Sequence, residues 1–151
     1  MTPDFTIQQI ADAAEVTRYQ VEAWISRGHF KPENPVENGK ARKFTYDDAV
    51  VLGALAAFNR LGLAPTVVAM HTAQLRFRAG RGSLFVIASE RRAVTGAEIA
   101  PGNGGEIDLT SGHIVDHGEV IRLVTAPQVD AIAAVDIDQI EHRVRASLGV
   151  A

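Results

Sequence analysis

The cations with the most suggestive spacing are Lys40, Arg42 and Lys43, in the stretch "PENPVENGKARKF", with Lys31 just before it. Pro32 and Pro35 disfavour helix, and Asn38-Gly39 suits a two-residue hairpin turn between strand residues such as Val36 and Phe44. The expected product is a short, stiff, positively charged β-wing. Cations on such a ribbon neutralise phosphates and release counterions, which grips a nucleic-acid backbone without reading its sequence. A second set, Thr17, Arg18, Tyr19 and Gln20, opens a helical pattern. Arg18 can pair with guanine edges and Gln20 with adenine, while Thr17 and Tyr19 suit a phosphate or a thymine methyl. Thr6, at the start of an earlier helix, can donate to a phosphate. Glu22 either faces away from such a contact or opposes phosphate.

Other chemistries find less support. His113 and His117 stand four apart with Asp116 and Glu119 nearby, but "SGHIVDHGE" is flanked by glycine and reads as a turn-rich loop with surface histidines rather than metal ligands. "PGNGGE" lacks the Lys-Ser/Thr of a phosphate-cradling loop and reads as a hairpin turn. His71 and His142 lie on helical patterns without an evident acid–base partner. No Ser-His-Asp order stands out, and the absence of cysteine excludes disulfides, thiolate metal sites and cysteine nucleophiles. The reading is therefore of a protein that is not an enzyme and calls for no cofactor.

The elements that would position these residues follow from caps and periodicity. Thr6, with Gln9 three residues on, predicts a capping box for a helix whose Ile7, Ile10 and Ala14 share a face. Glu15 and Val16 interrupt it. Thr17 then caps "RYQVEAWISRG", with Val21, Trp24 and Ile25 as the buried stripe and Gly28 as the stop. Thr45 caps a third helix with Asp47 and Asp48 in its first turn, apolar over most of its circumference and so packed on more than one side. A fourth helix, "APTVVAMHTAQLRFRAG", ends near Gly80–Gly82. From Ser83 the texture becomes β-type: "SLFVIA" and "EVIRLVTA" read as strands, "GAEIAPGNGGEIDLTSG" as short strands between turns, and "DAIAAVDID" as another strand. Ile137, Ile140, Val144 and Leu148 predict a closing helix. The fold class is α+β: a winged helix-turn-helix over residues 1–80, then a β-rich oligomerisation or sensing domain over 83–151.

The 151 residues are 46% hydrophobic, enough for one substantial core or two small domains sharing an interface. Neither a leader-type segment nor an apolar run of membrane-spanning length is visible, so a soluble cytoplasmic protein is expected. The net charge of −3 is unevenly spread. Residues 1–82 hold ten Lys/Arg against eight Asp/Glu, including Arg76, Arg78 and Arg81; residues 83–151 hold five against ten. A polyanion would meet the first part, not the second.

Taken together, "TIQQIADAAEVT", "WISRGHFKP", Arg42 and Phe44 in "ARKFTYDD", and "LAAFNRLGLAP" resemble the MerR-type winged helix-turn-helix in that family's order, over roughly residues 5–70. Glu22 and Ala23 stand where the family usually has Arg and Tyr, and Ala41 where it has an aromatic. The family's long dimerising helix and its sensing cysteines are not evident. The resemblance implies a double-stranded DNA-binding module that works as a dimer on an inverted repeat. The expected function is a sequence-specific transcription regulator of bacterial or phage type, a homodimer or higher homo-oligomer with no membrane partner and no effector named by the sequence. Two alternatives stay open: a DNA-bending recombination directionality factor, and a protein-interaction adaptor whose winged helix no longer binds DNA.

Overall fold

The computed structural model of the chain describes residues 3–94 and 105–151. Helix α1, Ile7–Ala13, begins at Thr6, whose hydroxyl accepts from Gln9 N while Gln9 Oε1 accepts from Thr6 N. This reciprocal bonding satisfies two of the amides that a helix start leaves unpaired. Glu15 turns the chain with φ 58°, a left-handed conformation that costs a side-chain-bearing residue about 1 kcal/mol. Helix α2, Arg18–Ser26, follows from the Thr17 cap and buries Val21 and Trp24. It stops at Gly28, φ 77°. The two helices with their tight turn are the expected helix-turn-helix.

Helix α3, Tyr46–Arg60, starts from a second capping box, Thr45 with Asp48, and buries all but a few of its side chains. Helix α4, Pro65–Thr72, runs into a 3-10 helix, Ala73–Phe77. Strand β1, Leu84–Val94, is central in a three-stranded antiparallel sheet of order β2-β1-β3, with β2 at Gly105–Val115 and β3 at Val129–Asp136. Helix α5, His117–Val124, lies between β2 and β3, and α6, Ile137–Leu148, closes the fold.

Three local expectations are corrected. "EVIRLVTA" is not a strand: Glu119–Val124 belong to α5, whose Glu119 reaches back towards Asp116 N at 3.4 Å. The helix lies against β1 and β3 but buries none of its residues, and Ile121 and Val124 are exposed. "SGHIVDHGE" is not a loop, because Ser111–Val115 continue β2 and the following residues start α5. The strands of this region are not short either, since β2 has 11 residues. The predicted turn at "PGNGGE" lies, from Pro101 to Gly104, outside the described residues. Gly112 explains how glycine enters a strand here. A Cβ at that position would stand 2.8 Å from His71 Cβ and 2.6 Å from Gln74 Nε2, so α4 lies against β2 where a side chain would not fit. His71 is buried there, with Nε2 2.9 Å from Thr110 Oγ1, and burial with His113 nearby holds its pKa below the ordinary 6.5.

One hydrophobic core runs from Phe5, Ile10 and Trp24 through α3 to Phe85, Ile87, Ile140 and Val144. Helix α6 fits α3 at Gly53, where a Cβ would come 2.9 Å from Ile140 Cγ2. Polar groups fasten the same junction. Arg78 donates to Glu141 Oε1 at 2.7 Å and pairs with Asp47 at 2.9 Å, and the Tyr46 hydroxyl donates to Glu141 at 3.0 Å. Burial pushes the Glu141 carboxyl up, but Arg78, the Tyr46 hydroxyl and Arg145 outweigh it and hold the group below its ordinary range. Arg76 donates to the wholly buried Asp48 at 2.8 Å and lies 3.0 Å from Glu33. Two of the three cations from Arg76 to Arg81 are therefore structural, and Arg81 alone of them is exposed.

Candidate nucleic-acid interface

The nine residues singled out for DNA contact fall on different parts of the surface. Thr6, Arg18 and Arg42 come from three separate segments and line one open groove of about 600 Å³, floored by Ile7, Ile25 and Phe44. The bridge between Phe5 and Phe44 closes this arrangement: each residue's backbone N–H donates to the other's carbonyl, at 2.8 Å, tying the chain before α1 to the end of the basic loop. Lys40, Arg42 and Lys43 line an adjoining groove of about 470 Å³ with Asp4 and Glu37, so Arg42 stands on the ridge between the two.

The remaining residues are not brought onto the first groove. Thr17 is the exposed cap of α2, its hydroxyl accepting from Gln20 N at 3.0 Å. Tyr19 projects freely, 78% exposed. Gln20 is half-buried, about 160° around the helix from Arg18 at 100° per residue. Lys31 lines a separate groove with Arg27, His29 and Arg76, between the end of α2 and α4.

The basic ribbon is built differently from a strand hairpin. Among the described residues, 29–45 form no ladder beyond the Phe5–Phe44 bridge. Lys40 N closes the Asn38-Gly39 turn on Glu37 O at 3.3 Å, with φ positive at Gly39 but not at Asn38, so the mirror-image turn of a two-residue hairpin does not form. Side chains take the place of a ladder. Arg42 Nε and Nη2 donate to the Asn34 carbonyl at 3.1 and 2.9 Å, and Asn34 Nδ2 donates to the Lys43 carbonyl at 3.0 Å. Pro32 and Pro35 lack the amide donors that a paired strand needs.

Several of the cations already have partners. Arg18 Nε donates to Glu22 Oε1 at 3.0 Å, and Lys40 lies 2.9 Å from Glu37. Glu22 thus does not face away: it lines the first groove beside Arg18. Exposed pairs of this kind contribute about 0–1 kcal/mol, so phosphates or base edges can compete for the cation. Lys43 is exposed and has no ion-pair partner among the described residues. Trp24, 3% exposed, is core as expected and offers no platform for a base.

Away from this surface, Ser111 donates to Glu90 at 2.8 Å and lies 2.8 Å from His113 Nε2. Sequence order concealed this cluster, because Glu90 arrives from the neighbouring strand. The serine stands between acid and imidazole, so the carboxylate does not orient the imidazole as a general base. His117 Nδ1 instead lies 3.2 Å from Ser83 Oγ. Among the described residues no three His, Cys, Asp or Glu side chains converge as a metal site, and no helix is long and apolar enough to cross a membrane.

No curated protein matches the chain. Residues 5–75 match the family model described as MerR HTH family regulatory protein, and they include both interface helices, the basic loop, α3 and α4. This part of the chain is a MerR-type helix-turn-helix domain.

Proposed function

We propose that the protein is a sequence-specific, DNA-binding transcription regulator that acts as a dimer. Helix α2 enters the major groove with its N-terminal end leading, and the loop carrying Lys40, Arg42 and Lys43 lies on the flanking phosphates. The observation that carries this reading is the meeting of Thr6, Arg18 and Arg42 on one groove within the matched residues. The second part of the chain, residues 83–151, makes the subunit contact or receives a signal. Its acidic balance keeps it off the duplex, and a symmetric pair doubles the discrimination of one short helix.

Selection of bound fragments from random double-stranded DNA tests this. The full chain enriches a motif with two-fold symmetry, and the Arg18→Ala, Lys43→Ala double variant loses the enrichment. Recovery of random sequence by the wild-type chain overturns the reading, and an asymmetric motif overturns the dimer.

A further inference from the structure

Glu22 is the anomaly of the interface, a carboxylate on a surface that should meet a polyanion. It stands one helical turn after Arg18, on the solvent-facing side of α2, with both side chains about half exposed. Their pairing has a specific geometry. The arginine gives Nε to Glu22 Oε1 at 3.0 Å, and neither Nη1 nor Nη2 donates to a protein group among the described residues. Glu22 Oε2 accepts no hydrogen bond among the described residues. The pair therefore presents two donors and, next to them, one strong acceptor.

We propose that Arg18 and Glu22 read the DNA as one unit, the guanidinium fork taking O6 and N7 of a guanine and the free carboxylate oxygen accepting from N4–H of a cytosine in the adjacent base pair. The inference rests on the DNA-binding reading above and names the bases that the same groove selects. In the major groove guanine offers two acceptors and cytosine a donor, so the pair's polarity matches a G·C-rich step. A thymine or guanine in the cytosine's place would turn an acceptor towards the carboxylate, and an adenine would set its N7 acceptor against it beside the N6–H donor, so cytosine is the base that meets the carboxylate without an opposing acceptor. Phosphate repulsion is limited because Arg18 keeps the pair's net charge at zero while both groups are engaged. Glu22 is thus a specificity-determining residue: it contributes little affinity and sets the choice of one base.

The test compares selected motifs column by column for the full-length wild type, Arg18→Ala, Glu22→Ala and Glu22→Gln, at one fixed salt concentration. The wild-type motif is expected to hold a guanine next to a conserved cytosine, with about ten-fold preference for that cytosine. Glu22→Ala flattens the cytosine column and leaves the guanine. Glu22→Gln moves that column towards adenine, which the amide matches as both acceptor and donor. Arg18→Ala erases the guanine. Both positions are exposed, and a thermal melt read from Trp24 fluorescence verifies that the variants fold. If the cytosine column is absent, or stays unchanged in both Glu22 variants, the inference is overturned while DNA binding stands. If no sequence is enriched by the wild type, the DNA-binding reading falls and this inference with it.

Discussion

Asp48 and Arg76 meet at 2.8 Å, with the carboxylate shut off from solvent. The carboxylate serves three segments at once. It accepts from Thr45 N at the start of α3, from Glu33 N in the basic loop and from Arg76 in the 3-10 helix. Removing the arginine leaves a buried charge without its counter-charge, which typically costs 3–5 kcal/mol. Arg76→Ala should lower the urea midpoint accordingly, followed by the fluorescence of the single, buried Trp24. Arg76→Met with Asp48→Asn should recover part of the loss. A shift of less than about 1 kcal/mol for Arg76→Ala would show that the pair is not a keystone.

Gly112 gives a steric prediction. A methyl there would stand 2.8 Å from His71 Cβ, an atom with little freedom to retreat. Gly112→Ala should therefore destabilise by about 1–3 kcal/mol, even though alanine is otherwise the better strand residue. A melting temperature equal to wild type would mean that α4 does not sit so closely on β2.

Acid should weaken the protein in two steps. His71 titrates below its ordinary 6.5 in the folded state, so its contribution is fully present above that value and is lost as pH falls through the lowered one. Glu141 is likewise depressed from 4.5, so its contribution is present above pH 4.5 and is lost as pH falls further. Stability measured by urea unfolding from pH 7 to 3 should flatten below 4.5 in Glu141→Gln and, just below 6.5, in His71→Gln. Parallel wild-type and variant curves would contradict the assignment.

Lys43 and Arg42 should behave differently although they are neighbours. Lys43 is unpaired among the described residues, so Lys43→Ala should weaken DNA binding uniformly across sequences and reduce the salt slope by about 1. Arg42 also holds the loop through the Asn34 carbonyl, a two-pronged bond that lysine cannot reproduce. Arg42→Lys should keep the salt slope near that of wild type and still loosen the loop, read as faster amide exchange over residues 34–43.

The sequence made the local features legible. The caps at Thr6, Thr17 and Thr45, the stop at Gly28 and the helical stripe of Ile137, Ile140 and Val144 all stand where their spacing put them. So does the coarse α+β order. What escaped was non-local. Arg76 and Arg78 read as surface charge because their acidic partners lie 28 and 63 residues away. His71 seemed isolated because Thr110 comes from β2. Val120, Ile121 and Val124 have strand-like side chains, but the residues around them form a helix beside β1 and β3. In the basic loop the chain turns at Asn38-Gly39 as expected, but neither the hairpin type of turn nor the ladder forms, since Arg42 does by side chain what a strand would do by backbone. Of the candidate site, Thr6, Arg18 and Arg42 share the first groove while Lys40 and Lys43 join Arg42 on the adjoining one, and neither composition nor spacing foretold that division.

Arg143 of the last helix reaches Glu15, in the turn that sets the angle between α1 and α2, at 3.6 Å, while Ile140 is seated against α3. Helix α6, which lies beyond the matched residues 5–75, thus braces the turn between α1 and α2, so substitutions on its inner side are expected to disturb how α2 is presented without touching α2 itself.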